Sequence, residues 1–246
     1  MAELVRLQKY IADCGLMSRR AAEEEIRRGN VTVGGVVAHL GDKVEVGGSG
    51  NALTEVRLRG QLVERRSQRH VTVMLNKPRG YVTTMSDEFG RPCVAELVSD
   101  VGVRVYPCGR LDYDSEGLLI LTSDGDLCHK LTHPSFEIPK TYIVKLGKAV
   151  TPEQLAALNR PMEVDGERYK AARAEIVTLR KNETVLRMTL REGRNRQIRK
   201  MCESLGLNVL TLKRVAIGSL ELGNLKPGKW RKLTPTQIAY LKKGKN

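Results

Sequence analysis

GRLDYDSEGLLILTSDGDL, residues 109–127, places two carboxylates, Asp112 and Asp114, just ahead of an apolar run from Leu118 to Leu121. The run reads as a buried strand with an acidic loop at its entrance. Three readings of LDYD stand open. Asp112 caps a turn and Asp114 is solvated. The Asp-x-Asp pair holds a divalent ion, a reading weakened because no further acidic ligands stand out. Or one carboxylate is a nucleophile or base in a basic pocket, where a neighbouring arginine keeps it ionised. The charge setting favours the third: 42 Lys and Arg stand against 28 Asp and Glu, a formal net charge of +14.

The chain has 246 residues, 41% of them apolar, which suits one small and one large domain with a real core. The start, MAELVRLQKY, lacks the apolar centre of a signal peptide, and no stretch has the apolar length to cross a bilayer. A soluble, cytoplasmic protein without a membrane partner is expected. Cys14, Cys93, Cys108, Cys128 and Cys202 are scattered, odd in number and free of Cys-x-x-Cys spacing, so reduced thiols are expected rather than a disulfide framework. Cys128, His129 and His133 cluster in CHKLTH, but the second ligand pair of a zinc site is missing, and no metal is expected. The basic excess points to a polyanion, most simply a nucleic acid.

At the front, Leu4, Leu7 and Ile11 have helical spacing, and Gly15 is a natural stop. Ser18 is the expected N-cap of a second helix, SRRAAEEEIRRG, ended by Gly29. Arg6, Lys9, Arg19, Arg20, Arg27 and Arg28 then fall on two short helices. VTV and VVA flank Gly34-Gly35, a hairpin signal. Two basic helices and a hairpin suit phosphate contacts on structured RNA, read by shape rather than sequence. LQKYIADCGLMSRRAAEEEIRRGNVTVGG resembles the small RNA-binding domain of ribosomal small-subunit protein four, the alpha-L motif. That domain is placed at 1–63, the Arg-rich ERRSQRH at 64–70 is a linker, and 71–246 forms a larger domain.

In the larger region VTVMLNKPRGYVTT, TYIVKL, AEIVTL, TVLRMTL and NVLTLKRVAI read as strands. TPEQLAALN, RNRQIRKMCESLG and TPTQIAYLKK read as helices, two of them opened by a Thr-Pro cap. Strands and helices do not alternate strictly, so an α+β domain on a mixed or antiparallel sheet is expected. Neither a Gly-x-Gly-x-x-Gly after a strand nor a Gly-Lys-Ser/Thr phosphate loop is present, so nucleotide cofactors fall away.

NKPRGYVTT, GRLDYDSEGLLILTSDGDL, LTHPSFEIPKTYIV and EGRNRQIRKMCESLG stand in this order. Together they resemble the RNA pseudouridine synthases that modify ribosomal RNA, in the branch with an alpha-L domain in front. The overall pattern is most similar to the large-subunit ribosomal RNA group. The resemblance implies an isomerase that needs no cofactor and turns uridine into pseudouridine. It implies Asp112 as the catalytic aspartate, Tyr142 as the tyrosine stacking on the target base and Arg199 as the basic residue that pairs with the aspartate. It implies Leu212 as an apolar wall of the pocket, with Arg110 and Arg196 assisting substrate binding. Ser115 departs from the family, which usually shows Thr there. A hydroxyl at that place is expected to support a local turn. Ribosomal RNA or a ribosomal subunit precursor is the expected partner of a monomer. Two alternatives remain: a synthase acting on small-subunit ribosomal RNA, or a non-catalytic RNA-binding assembly protein. A metal-dependent glycosyl-transferring enzyme, using Asp112 and Asp114 as ligands, is a third reading, distinguished by its sensitivity to chelators.

Overall fold

The structure is a computed structural model that describes residues 2–48, 50–65 and 70–243. The chain divides into two compact units, Met1–His70 and Val71–Asn246. Residues 66–69, within the expected linker, lie outside the described residues.

The first unit runs β1 (Glu3–Arg6), α1 (Leu7–Asp13), α2 (Arg19–Arg27), β2 (Val31–Val33), β3 (Val36–Val37), β4 (Lys43–Val46), β5 (Val56–Leu58) and β6 (Gln61–Leu62). Ser18 caps α2 as expected, its Oγ accepting from the Ala21 N–H at 3.1 Å. β2 and β3 form the hairpin over Gly34-Gly35, and β5 and β6 extend it. The front differs from expectation in one respect. Glu3–Arg6 is a strand paired with β4, so the helix begins at Leu7. Leu4 shares the helical spacing but is 60% exposed. Val5 is the buried residue of the strand, between the exposed Leu4 and Arg6. Arg6 therefore ends a strand rather than lying on a helix.

The second unit runs β7 (Thr72–Lys77), α3 (Val94–Leu97), β8 (Tyr106–Pro107), β9 (Glu116–Thr122), α4 (Gly125–Thr132), β10 (Lys140–Leu146), α5 (Pro152–Leu158), β11 (Met162–Val164), β12 (Glu167–Tyr169), β13 (Arg173–Arg180), β14 (Glu183–Leu190), α6 (Gln197–Ser204), β15 (Val209–Ile217), β16 (Leu220–Glu221), β17 (Trp230–Lys232) and α7 (Pro235–Lys243). Its mixed sheet has the order β13-β14-β10-β15-β9-β7-β17, with β16 beside β15 and β8 beside β9. All these pairs are antiparallel except β15 with β9. This is the mixed α+β sheet expected from the sequence.

The apolar run of β9 is buried on both faces. Leu118 and Ile120 pack with Met74, Leu127 and Ile217. Leu119 and Leu121 pack with Val73, Leu75 and Val94 on the other side. A strand covered on both faces has no polar alternation, which is why Leu118–Leu121 is continuous. Each such side chain contributes about 1.5–3 kcal/mol by leaving water. The strand is therefore a fixed post, and the acidic loop hangs from its first residue.

Candidate active site

The loop between β8 and β9 carries Asp112, and the segment after β7 grips that loop along its backbone. Lys77, at the end of β7, is fully buried. Its Nζ donates to the carbonyls of Pro78, Asp112 and Ser115 at 3.0, 3.1 and 2.8 Å. The Gly80 N–H donates to the Tyr113 carbonyl at 2.8 Å. Thr83 Oγ1 donates to the Leu111 carbonyl at 2.6 Å and accepts from the Leu111 N–H at 3.2 Å. The Ser115 N–H closes a turn on the Asp112 carbonyl at 3.1 Å. NKPRGYVTT is thus the clamp of the acidic loop. Desolvation pulls the Lys77 ammonium down to about 8, while Asp112, Asp114 and Glu116 pull the other way.

Asp112 is half-buried and lines a cavity of about 580 Å³ together with Arg110, Tyr142, Arg196, Leu212 and Arg214. That volume suits one small organic group. Tyr142 on β10 lies directly across from Arg214 on β15. Leu212 precedes Arg214 by two residues and shares its face of the sheet.

Arg199, on α6, does not line the cavity. Its Nη2 donates to the Asp114 carbonyl at 3.1 Å and pairs with the Asp114 carboxylate at 3.2 Å. Its Nη1 donates to the Val209 carbonyl at 3.3 Å. The ion partner of Arg199 is therefore Asp114; Asp112 acts on it only as a more distant charge. Burial pushes Arg199 below the ordinary arginine value, with Asp114 opposing the shift. Arg196 reaches the same carboxylate at 3.4 Å. It does so from a left-handed backbone, φ 50°, a conformation that costs a non-glycine residue about 1 kcal/mol or more. Asp114 ties the start of α6 to the loop that carries Asp112. Ser115 is buried and its Oγ has no partner. Its N–H, not its hydroxyl, makes the turn. In CHKLTH the rings of His129 and His133 lie 4.8 Å apart. Among the described residues no three His, Cys, Asp or Glu side chains group as a metal site, and no helix is long and apolar enough to cross a membrane.

In the first unit Arg6, Arg19, Arg20, Arg27 and Arg28 are exposed. Lys9 is half-buried and pairs with Asp13 at 2.8 Å. Arg27 and Arg28 pair with Glu24 at 3.1 and 3.2 Å.

Residues 71–204 match the family model described as RNA pseudouridylate synthase, and residues 5–48 match the S4 domain. The chain belongs to the RNA pseudouridine synthase family. It is 41% identical over 240 residues to the ribosomal large subunit pseudouridine synthase B of Bacillus subtilis, covering 96% of this chain and 95% of that protein. It is 37% identical over 238 residues to the dual-specificity RNA pseudouridine synthase RluF of Escherichia coli K12, covering 96% of this chain and 78% of that one. A crystal structure of a pseudouridylate synthase superposes with a TM-score of 0.68 at 30% identity, covering 96% and 99% of the two chains.

Within this pseudouridine synthase the sequence reading picked out five residues that line one cavity, Asp112, Arg110, Tyr142, Arg196 and Leu212. It missed Lys77, Thr83, Lys140 and Arg214. Lys77 was in view inside a quoted motif. What it lacked was a signal of burial, since an isolated lysine reads as solvated surface.

Proposed function

We propose that this enzyme isomerises one uridine of large-subunit ribosomal RNA to pseudouridine, with Asp112 as the nucleophile. The observation that carries this reading is the clamp on residues 111–115, which holds the Asp112 backbone at a cavity that Asp112, Tyr142 and Leu212 line together. A target uridine leaves its stack at a cost of a few kcal/mol. Stacking on Tyr142 returns about 1–3 kcal/mol. Leu212 closes the apolar wall, and Arg110 and Arg196 take phosphate at the mouth. Arg199 acts through Asp114, fixing α6 against the loop that carries Asp112. The bond between ribose and uracil N1 breaks, the base turns, and C5 joins the ribose. Nothing is oxidised and no group is added, so the reaction asks for no cofactor. The first 63 residues form the RNA-binding domain and residues 71–246 the catalytic domain of a cytoplasmic monomer. The large-subunit assignment is supported by the name of the Bacillus subtilis relative, similar over nearly its whole length.

The test is pseudouridine mapping of ribosomal RNA from cells lacking this protein. One large-subunit position is expected to revert to uridine. Complementation with Asp112→Asn is expected to leave it uridine, with RNA affinity within about threefold of wild type and turnover down by at least about 10³-fold. A change confined to small-subunit RNA would reassign the substrate. Normal modification by Asp112→Asn would remove Asp112 from the mechanism.

A further inference from the structure

Two of the cations that line the cavity lie on the sheet strands beside Tyr142. Lys140 opens β10 two residues before Tyr142, and Arg214 lies opposite Tyr142 on β15. Both line the cavity. Arg214 is 3% exposed. Its Nε donates to the Leu118 carbonyl at 2.7 Å, but its Nη2 is buried with no partner. Lys140 Nζ donates to the Ile138 carbonyl at 3.1 Å. Desolvation, and next the charge of Arg214, bring Lys140 down to about 8 with no carboxylate opposing them. A half-buried cation beside a fully buried one, with no carboxylate opposing them, is unfavourable. A buried donor without a partner calls for an explanation. An anion arriving between them supplies one.

An RNA substrate offers two kinds of negative charge, and burial separates them. Phosphates stay with the backbone at the mouth of the cavity, where Arg191, Arg194 and Arg196 are exposed. The everted base goes deepest. Its ring becomes negative as the bond to ribose breaks. Arg214 is one strand spacing from Tyr142 and Lys140 is two residues along the same strand, so both reach the edge of a base stacked on that tyrosine.

We propose that Lys140 and Arg214 bind the two carbonyl oxygens of the target uracil and take up the negative charge of the detached ring. This rests on the uridine isomerase reading above. The electron pair of the N1–C1′ bond passes to uracil and is shared by N1, O2 and O4. Turning the ring about its N3–C6 axis exchanges N1 with C5 and O2 with O4. A fixed pair of donors therefore meets an oxygen at each position before and after the turn. C5 then supplies the pair for the new C5–C1′ bond, its proton leaves and N1 regains one. The ring ends neutral, and no oxidant or reductant enters. Fixed positive groups aimed at developing charge are worth about 10²–10³-fold in rate each.

The experiment compares single-turnover rates on two transcripts of large-subunit ribosomal RNA, one with uridine and one with 5-fluorouridine. Fluorine withdraws electrons, so the detached fluorouracil needs less help from a cation. Lys140→Met and Arg214→Met are expected to slow the uridine transcript by about 10²-fold or more, with RNA affinity within about threefold. On the fluorinated transcript the loss is expected to shrink by about tenfold. The charge-retaining Lys140→Arg and Arg214→Lys are expected to keep more activity and to fold like the wild type. Equal losses on both transcripts, or losses in affinity alone, would overturn the proposal. Wild-type protein that rearranges neither transcript would overturn the isomerase reading itself, and the proposal with it.

Discussion

Lys77 puts an ammonium where the loop that carries Asp112 turns carbonyls inward. Three acceptors, on Pro78, Asp112 and Ser115, compensate for its burial. The compensation is partial, because its folded value of about 8 lies below the ordinary 10.5. Between those limits the unfolded chain binds more protons than the folded one, so stability rises with pH across that window. Below about 8 the protein carries the full cost of charging a buried lysine, about 3 kcal/mol on this shift. Lys77→Met removes that pH dependence and leaves the three carbonyls without their donor. Urea midpoints at pH 7.5 and 10.5 are expected to show the wild type gaining on the variant by up to about 3 kcal/mol. At pH 7.5 the variant is expected to lose at least about 10²-fold in turnover, since a loop displaced by an ångström misaligns Asp112. A constant stability gap and normal turnover would remove Lys77 from the clamp. At this scale the sequence revealed chemistry but not pairing. Asp112 and Asp114 were equally visible, yet which of them faces Arg199 depends on how α6 meets the loop, 85 residues away in the chain. Arg214 read as part of a strand; its buried, partnerless nitrogen is a fact of packing alone.

Among the described strands of the large sheet, β9 and β15 make the one parallel pairing, and Gly117 lies opposite Arg214 in it. A Cβ there would lie 2.2 Å from the Arg214 carbonyl oxygen and 2.8 Å from its nitrogen, on a backbone with φ +109°. Backbone atoms inside a sheet cannot step aside as a side chain does. Gly117→Ala is expected to cost on the order of 3 kcal/mol. Turnover is expected to fall as well, because the same displacement moves Arg214 out of the cavity. A urea midpoint equal to the wild type's would show that the strands separate there without penalty. The glycine of DSEGLLIL was legible, but its partner was not, since parallel neighbours are joined by long crossovers that leave no local pattern. The long strands and the Thr-Pro helices were legible because their signals are local: Thr151 caps α5 and Thr234 caps α7 through the N–H groups of Gln154 and Gln237 at 3.2 Å. α4 was missed because its N-cap, Asp124, sits in a run of turn residues that masks the helix behind it. β1 was missed for the opposite reason, its apolar residues happening to continue the spacing of α1.

For the whole molecule the charge of +14 is the property that composition announced most directly. The structure divides that excess into groups with different work. Lys77, Lys140 and Arg214 are turned inward and act on the loop and the cavity. Arg27 and Arg28 are engaged with Glu24. Among the described residues Arg6, Arg19, Arg20 and Lys43 are exposed and form no ion pair, so these are among the cations of the first unit most available to phosphate. Each phosphate contact contributes about 0.7–0.9 to the slope of log affinity against log salt. The double variant Arg19→Ala, Arg20→Ala is expected to lower that slope by about 1.5 and to weaken binding to ribosomal RNA most at low salt. Turnover at saturating RNA is expected to stay at the wild-type value, because neither residue belongs to the unit that holds Asp112. An unchanged slope would mean that RNA does not cross the start of α2. A loss in turnover at saturation would mean that these arginines place the target uridine as well as hold its strand. The two readouts separate because salt reports on counterions released from the phosphates, whereas saturated turnover reports on the geometry around a single base.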